Sequence, residues 1–447
     1  MPVGPTVPVL ALTTTMRDVA LFYGLYGGIF LGFVALVQTL RLSARRAVLN
    51  NNTEQALVLY DRLWFLFGPA VRKQIKPQIE INLAVVHGAQ GNRMRAYDLL
   101  DDARRGARGL KTPDLLVQAC IILARMHHAD GHYDHALRAL QEAKGASERD
   151  TRHPFLLTIL HQIAEVHRAT GDVDETERAY HALRRAADAR GEVGTTVLAL
   201  TYLGRYAYAD CRWEESEGYL ADAVQRARET GCKERSAVLA YVLFGRLALQ
   251  QGKYELARGY LVEAATMGRN RGEAGLECIA LLEQARLLTE RGKYQGAIDL
   301  LAEAEKIAAH LQDPGRLAMV HQVYGEAYLQ REHREAARFH FLQAQGFLGN
   351  KPLVHTEILV LTGLALLEAW DGDIELAMEG LMEAERQALV HRCGFELVCV
   401  YDAMALVHAR AQAGDDAVRC QTMAHEQRQH LGIQAAISTQ YRRQYAA

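Results

Sequence analysis

Residues Leu243–Ala264 read LFGRLALQQGKYELARGYLVEA. Gly252 is the pivot of this stretch. A small residue, Gly245, stands seven positions before it and another, Ala257, five positions after it. Leu261 follows at nine positions and Ala264 three further on. Apolar residues recur at helical spacing on both sides of the pivot, so the stretch reads as two helices joined by a glycine turn. Glycine ends the first helix by entering the left-handed region that other residues avoid. The small residues let the helices approach, and Leu261 fills the groove between them.

The same beat runs through the chain. Turn segments begin at Gly91, Gly131, Gly171, Cys211, Gly252, Gly292, Glu332 and Gly372, separated by 40, 40, 40, 41, 40, 40 and 40 residues. Asn51 precedes the series by one period, and a degenerate copy lies near Gly414. Seven residues before each turn stand Ala84, Ala124, Ala164, Gly204, Gly245, Ala285, Gly325 and Ala365. Nine after it come Leu100, Leu140, Tyr180, Leu220, Leu261, Leu301, Phe341 and Leu381. Pro77, Pro113, Pro154, Pro314 and Pro352 are expected just before first helices, where a missing N–H costs nothing. Each hairpin has an apolar face that only the next can cover, so the units must stack.

This small–turn–aromatic–Ala–Leu–Ala pattern resembles the tetratricopeptide repeat family, with a period of about 40 residues in place of the family's 34. The copy at Leu282–Ala304 follows Leu243–Ala264 closely. The resemblance implies an all-α fold, a right-handed superhelical α-solenoid of stacked helical hairpins. The expected organisation is a short extracytoplasmic tail over 1–18, a transmembrane helix over 19–40, a solenoid of about nine to ten units over 41–430 and a C-terminal capping segment over 431–447.

The span rests on VALFYGLYGGIFLGFVALVQTL, 22 residues without a formal charge between Asp18 and Arg41. As a helix it would run about 33 Å, enough for the hydrocarbon core. Arg41, Arg45 and Arg46 follow with no acid before Glu54, which places the repeats in the cytoplasm by the positive-inside rule. A cleaved signal peptide is the competing reading, without the basic n-region it needs. Gly24, Gly28 and Gly32 share one face of the span, a surface on which another helix, or a second copy, could pack closely.

The net charge of −2 offers no global field for nucleic acid. The seven cysteines include no C-x-x-C pair, so they read as buried free thiols in a reducing compartment and as neither disulfides nor a zinc site. The Arg- and Ala-rich composition fits a bacterium, so the expected location is the inner membrane, crossed once, with the repeats facing the cytoplasm.

By the resemblance, the residue after each small one lines the concave groove. Those positions read Arg45, Val85, Arg125, Glu165, Arg205, Arg246, Arg286, Glu326 and Leu366. Arg205, Arg246 and Arg286 form a ladder in consecutive units, with Thr201, Val242 and Leu282 one turn earlier on the same face. Such a ladder suits a peptide or helix carrying carboxylates and apolar anchors, unless the arginines pair with acids such as Glu283 or Glu255. His127, His128, His132 and His135 crowd one turn without a partner set that defines a metal geometry. No phosphate loop, dinucleotide fingerprint or nucleophile elbow occurs.

The expectation is therefore a membrane-anchored interaction scaffold, not an enzyme, that recruits protein partners through its groove and has no cofactor or metal. A peptide- or metabolite-sensing regulator and an envelope-side scaffold of a secretion or surface assembly are the alternatives.

Overall fold

A computed structural model of the chain describes residues 35–40, 42–43, 46–47, 55, 58–59, 62, 69–147, 153–349, 353–391 and 393–431. The chain divides into two compact units, Met1–Gly171 and Asp172–Ala447. All regular structure among the described residues is helical.

The first unit contains α1 (Pro69–Ala89), α2 (Arg93–Leu110), α3 (Pro113–Ala129), α4 (Tyr133–Ser147) and α5 (Leu156–Thr170). Its core runs through Ala84, Leu100, Val117, Cys120, Leu123, Ala136, Leu140 and Ile159. Pro113 opens α3 at its first turn, as expected, but Pro77 lies inside α1. There its ring packs over α2 at Gly106, where an added Cβ would come within 2.9 Å of Pro77 Cγ.

The second unit alternates first and second helices: α6 (Val173–Asp188), α7 (Val193–Ala209), α8 (Trp213–Thr230), α9 (Arg235–Gln250), α10 (Tyr254–Arg271), α11 (Ala274–Glu290) and α12 (Tyr294–His310). It continues with α13 (Pro314–Gln330), α14 (Arg334–Leu348), α15 (Val354–Asp371), α16 (Ile374–Val390), α17 (Gly394–Arg410) and α18 (Gly414–Leu431). The first helices α7, α9, α11, α13, α15 and α17 each touch the next as well as their own partner. They form an inner layer buried on both sides: α9 hides Ala237, Tyr241, Leu247 and Leu249. The second helix α10 buries one stripe only, Ala257, Leu261, Ala264, Ala265 and Gly268.

The repeat signature has a literal structural meaning. An added Cβ on Gly204 would lie 2.6 Å from Leu220 Cγ, and one on Gly245 2.6 Å from Leu261 Cγ. The small residue of the first helix is thus the seat of the large residue of the second. All eight turn positions take positive φ, including the non-glycine residues Cys211 at 58° and Glu332 at 63°. At Gly252 the N–H bonds Leu249 C=O at 3.0 Å and the next N–H, of Lys253, reaches Ala248 C=O at 2.8 Å. These two hydrogen bonds satisfy carbonyls that the helix end leaves open. The last turn falls on the period at Gln412, with φ 58°, two residues before the expected Gly414.

Among the described residues no helix is long and apolar enough to cross a membrane. Gly24, Gly28 and Gly32 lie outside the described residues, as does the 19–34 part of the expected span. At its other end, the partly buried Val37 and Leu40 pack with Ala47 and Val86.

Candidate functional site

In the second unit the inner layer curls until α17 meets the end of α7. Gly394 opens α17, and an added Cβ there would sit 3.2 Å from Cys211 Sγ. The first helices thereby enclose a cavity of about 530 Å³. Its walls are Arg205 and Tyr208 from α7, Leu243 and Arg246 from α9, Arg286 from α11, Met319 from α13, His355 and Leu359 from α15, and Phe395 and Glu396 from α17. A recess of about 60 Å³ extends from it between Gln250, Glu283, Glu290, Glu326 and Cys399.

The structure brings the three ladder arginines together but not as equals. Arg246 Nε lies 3.5 Å from Glu283 Oε1, and Arg286 donates to the same oxygen at 3.1 Å. Arg286 also donates to Gln322 Oε1 at 2.8 Å. Glu283 is 1% exposed, so one buried carboxylate serves two guanidinium groups. The Arg246 guanidinium stands 5.5 Å from the centre of the Tyr208 ring, a cation–π contact. Burial pushes the Tyr208 hydroxyl up to about 12. Arg205, exposed at the cavity wall, has no ion-pair partner among the described residues. The alternative of pairing with acids therefore holds for two of the three arginines, whereas Glu255 is engaged by Arg258 and Arg291.

The residues one turn earlier do not face the cavity. Thr201, Val242 and Leu282 are 0%, 2% and 1% exposed. Thr201 donates to Val197 C=O at 2.6 Å on its own helix and to Ser236 C=O at 3.3 Å on α9. The inner helices are covered on both flanks by neighbouring hairpins, so a turn's spacing returns to the packed layer. Arg125 and Glu165 belong to the first unit. Arg125 is exposed, and Glu165 is paired with Arg168 at 2.7 Å.

Glu326 continues the ladder on α13. Burial raises its carboxyl to about 7, against the lowering effect of Arg286. The recess thus holds a buried carboxyl beside Arg286 and Glu283.

Three residues that sequence reasoning did not connect meet at the rim. His355 Nδ1 lies 3.0 Å from Glu396 Oε1, and one donor atom from each of His355, Cys393 and Glu396 falls within 4.8 Å of the others. Among the described residues this is the one group of His, Cys and carboxylates gathered closely enough for a metal ion. Hydrogen bonding to Cys393 and then to Glu396 raises His355 to about 10. Nothing in the local sequence announces the group, because its members begin two helices 40 residues apart. His127, His128, His132 and His135 make ring contacts: His127 stacks on Tyr97 at 4.6 Å and lies 5.1 Å from His135. Burial, then the neighbouring His135, lowers His127 to about 4.

No family model matches the chain, and no curated protein matches it. Solved structures do. The apo form of RapI is similar at 11% identity and a TM-score of 0.61, over 81% of this chain and 98% of that one. The Rap conjugation gene regulator of plasmid pLS20, in complex with the Phr* peptide, is similar at 15% identity and a TM-score of 0.50, over 80% of this chain and 96% of that one. A tetratricopeptide repeat protein from Parabacteroides merdae shares 17% identity, with a TM-score of 0.45, over 65% of this chain and 99% of that one. At such identities the first two likenesses concern the fold alone, and together with the eight registered turns they make it a tetratricopeptide-like α-solenoid.

Proposed function

We propose that the chain is a protein-interaction repeat protein, without catalytic activity, whose second unit takes an extended peptide segment of a partner into its cavity. Arg205 carries this reading: a guanidinium without an ion pair among the described residues, beside Leu243, Met319, Leu359 and Phe395. A guanidinium so placed bonds a carboxylate bidentately, and the apolar wall accepts side-chain anchors. Gln250 adds a buried amide oxygen that has no hydrogen-bond donor among the described residues. A cavity of about 530 Å³ suits a short segment better than a folded domain. This favours a peptide-sensing or adaptor role, and one of the similar solved structures was determined with a peptide.

The uncharged run from Val19 supports a membrane-tethered form with the repeats in the cytoplasm, although Val37 and Leu40 pack with the repeats. In that form Gly24, Gly28 and Gly32 would contact another membrane helix. A carbonate wash of cell membranes tests the tether, since a tethered chain stays in the pellet.

The groove is tested by crosslinked pull-down with the full chain as bait, followed by fluorescence anisotropy on peptides tiled from each captured partner. Arg205→Glu should weaken the binding peptide by at least about tenfold while the melting temperature holds. Binding unchanged by Arg205→Glu would overturn the cavity as the site.

A further inference from the structure

We propose that His355, Cys393 and Glu396 form a binding site for a divalent transition-metal ion of the zinc type. The site lies on the wall of the same cavity, but it does not rest on the peptide reading and needs no partner protein to be tested.

The donors have the right identities. One imidazole nitrogen, one thiolate and one carboxylate make the mixed N, S, O set that zinc takes, and zinc commonly leaves a fourth position to water or a ligand. Their separations fit as well. With metal bonds of about 2.0–2.3 Å, tetrahedral donors stand roughly 3.3–3.6 Å apart. The His355 Nδ1 to Glu396 Oε1 distance is 3.0 Å, and all three donor atoms fall within 4.8 Å. Bringing the widest pair, at most 4.8 Å apart, to that separation takes a side-chain adjustment of up to about 1.5 Å.

The supports are rigid. His355 is the second residue of α15, Cys393 caps the N-terminus of α17, and Glu396 is the third residue of α17. Cys393 and Glu396 are each 4% exposed, whereas the His355 side chain is 63% exposed. An ion would enter from the histidine side, and its remaining position would open on the cavity that all three residues line.

The test is titration of chelator-treated, full-length protein with Co²⁺, which reports thiolate ligation by a near-ultraviolet charge-transfer band. The expected result is a saturable band at one equivalent, displaced by Zn²⁺. Cys393→Ser should abolish the band. His355→Ala, at an exposed position that leaves the fold unchanged by circular dichroism, should weaken Co²⁺ binding by at least about tenfold. No charge-transfer band in the wild type would overturn the proposal. So would a band that survives Cys393→Ser and vanishes in Cys211→Ser, because the neighbouring thiol would then be the ligand. Binding that persists in His355→Ala at wild-type affinity would do the same.

Discussion

Arg246 of α9 and Glu283 of α11 are joined across neighbouring first helices by a 3.5 Å ion pair whose carboxylate is 1% exposed. Glu283 also holds Arg286, so its removal leaves two cations facing one cavity. Breaking a fully buried pair costs about 3–5 kcal/mol. Arg246 and Arg286 are 28% and 16% exposed, and solvent screening reduces the cost to about 2 kcal/mol for Glu283→Gln. Urea unfolding measures it, and a change below about 0.5 kcal/mol would mean that cavity water already screens both arginines.

Glu326 makes stability depend on pH in the direction opposite to a surface carboxylate. Its folded-state value is raised from 4.5 to about 7 by burial. Below pH 4.5 both folded and unfolded chains hold the proton. Between 4.5 and 7 the unfolded chain releases it and the folded chain retains it, so stability falls as pH rises, by at most about 1.4 kcal/mol per pH unit. Glu326→Gln should remove this slope and be more stable than the wild type at pH 8. The two proteins should converge below pH 4.5. Parallel pH–stability curves would contradict the burial argument.

Gly325 and Phe341 repeat the seat-and-knob contact of the other hairpins with an aromatic knob. An added Cβ on Gly325 would lie 2.5 Å from Phe341 Cε1. Overpacking at this seat should cost Gly325→Ala about 1–3 kcal/mol. Phe341→Leu made in that background should recover part of the loss, since the residues touch and their effects do not add. Simple additivity in denaturation experiments would separate the two positions.

Glu332 is an exposed turn residue with φ 63°, where most copies of the repeat have glycine. Left-handed backbone costs a residue with a side chain about 1–2 kcal/mol, partly offset by the greater unfolded-state freedom of glycine. Glu332→Gly should therefore raise stability by about 1 kcal/mol, read as an upward shift of the thermal midpoint. A downward shift would show that the glutamate side chain contributes more than the turn strain removes.

The local architecture was legible in the residues themselves. A 40-residue beat of small residue, turn and large apolar residue placed the eight turns from Gly91 to Gly372, because helix ends and close helix contacts depend on residues a few positions apart. The same logic put Gly204 opposite Leu220 and Gly245 opposite Leu261, where the structure has them. It read Arg205, Arg246 and Arg286 as one ladder, and all three line one cavity.

Tertiary structure decided the remainder. Thr201, Val242 and Leu282 share the arginines' helices but are buried, since neighbouring hairpins cover both flanks of the inner layer. The pairing of Arg246 and Arg286 with one glutamate, while Arg205 stays exposed, depends on which helix lies opposite which. Most of all, Cys211 meets Gly394, and His355 meets Cys393 and Glu396, through small rotations between hairpins that accumulate along the array. A repeat determines its own hairpin through short-range packing, but no residue within one repeat specifies where the superhelix closes.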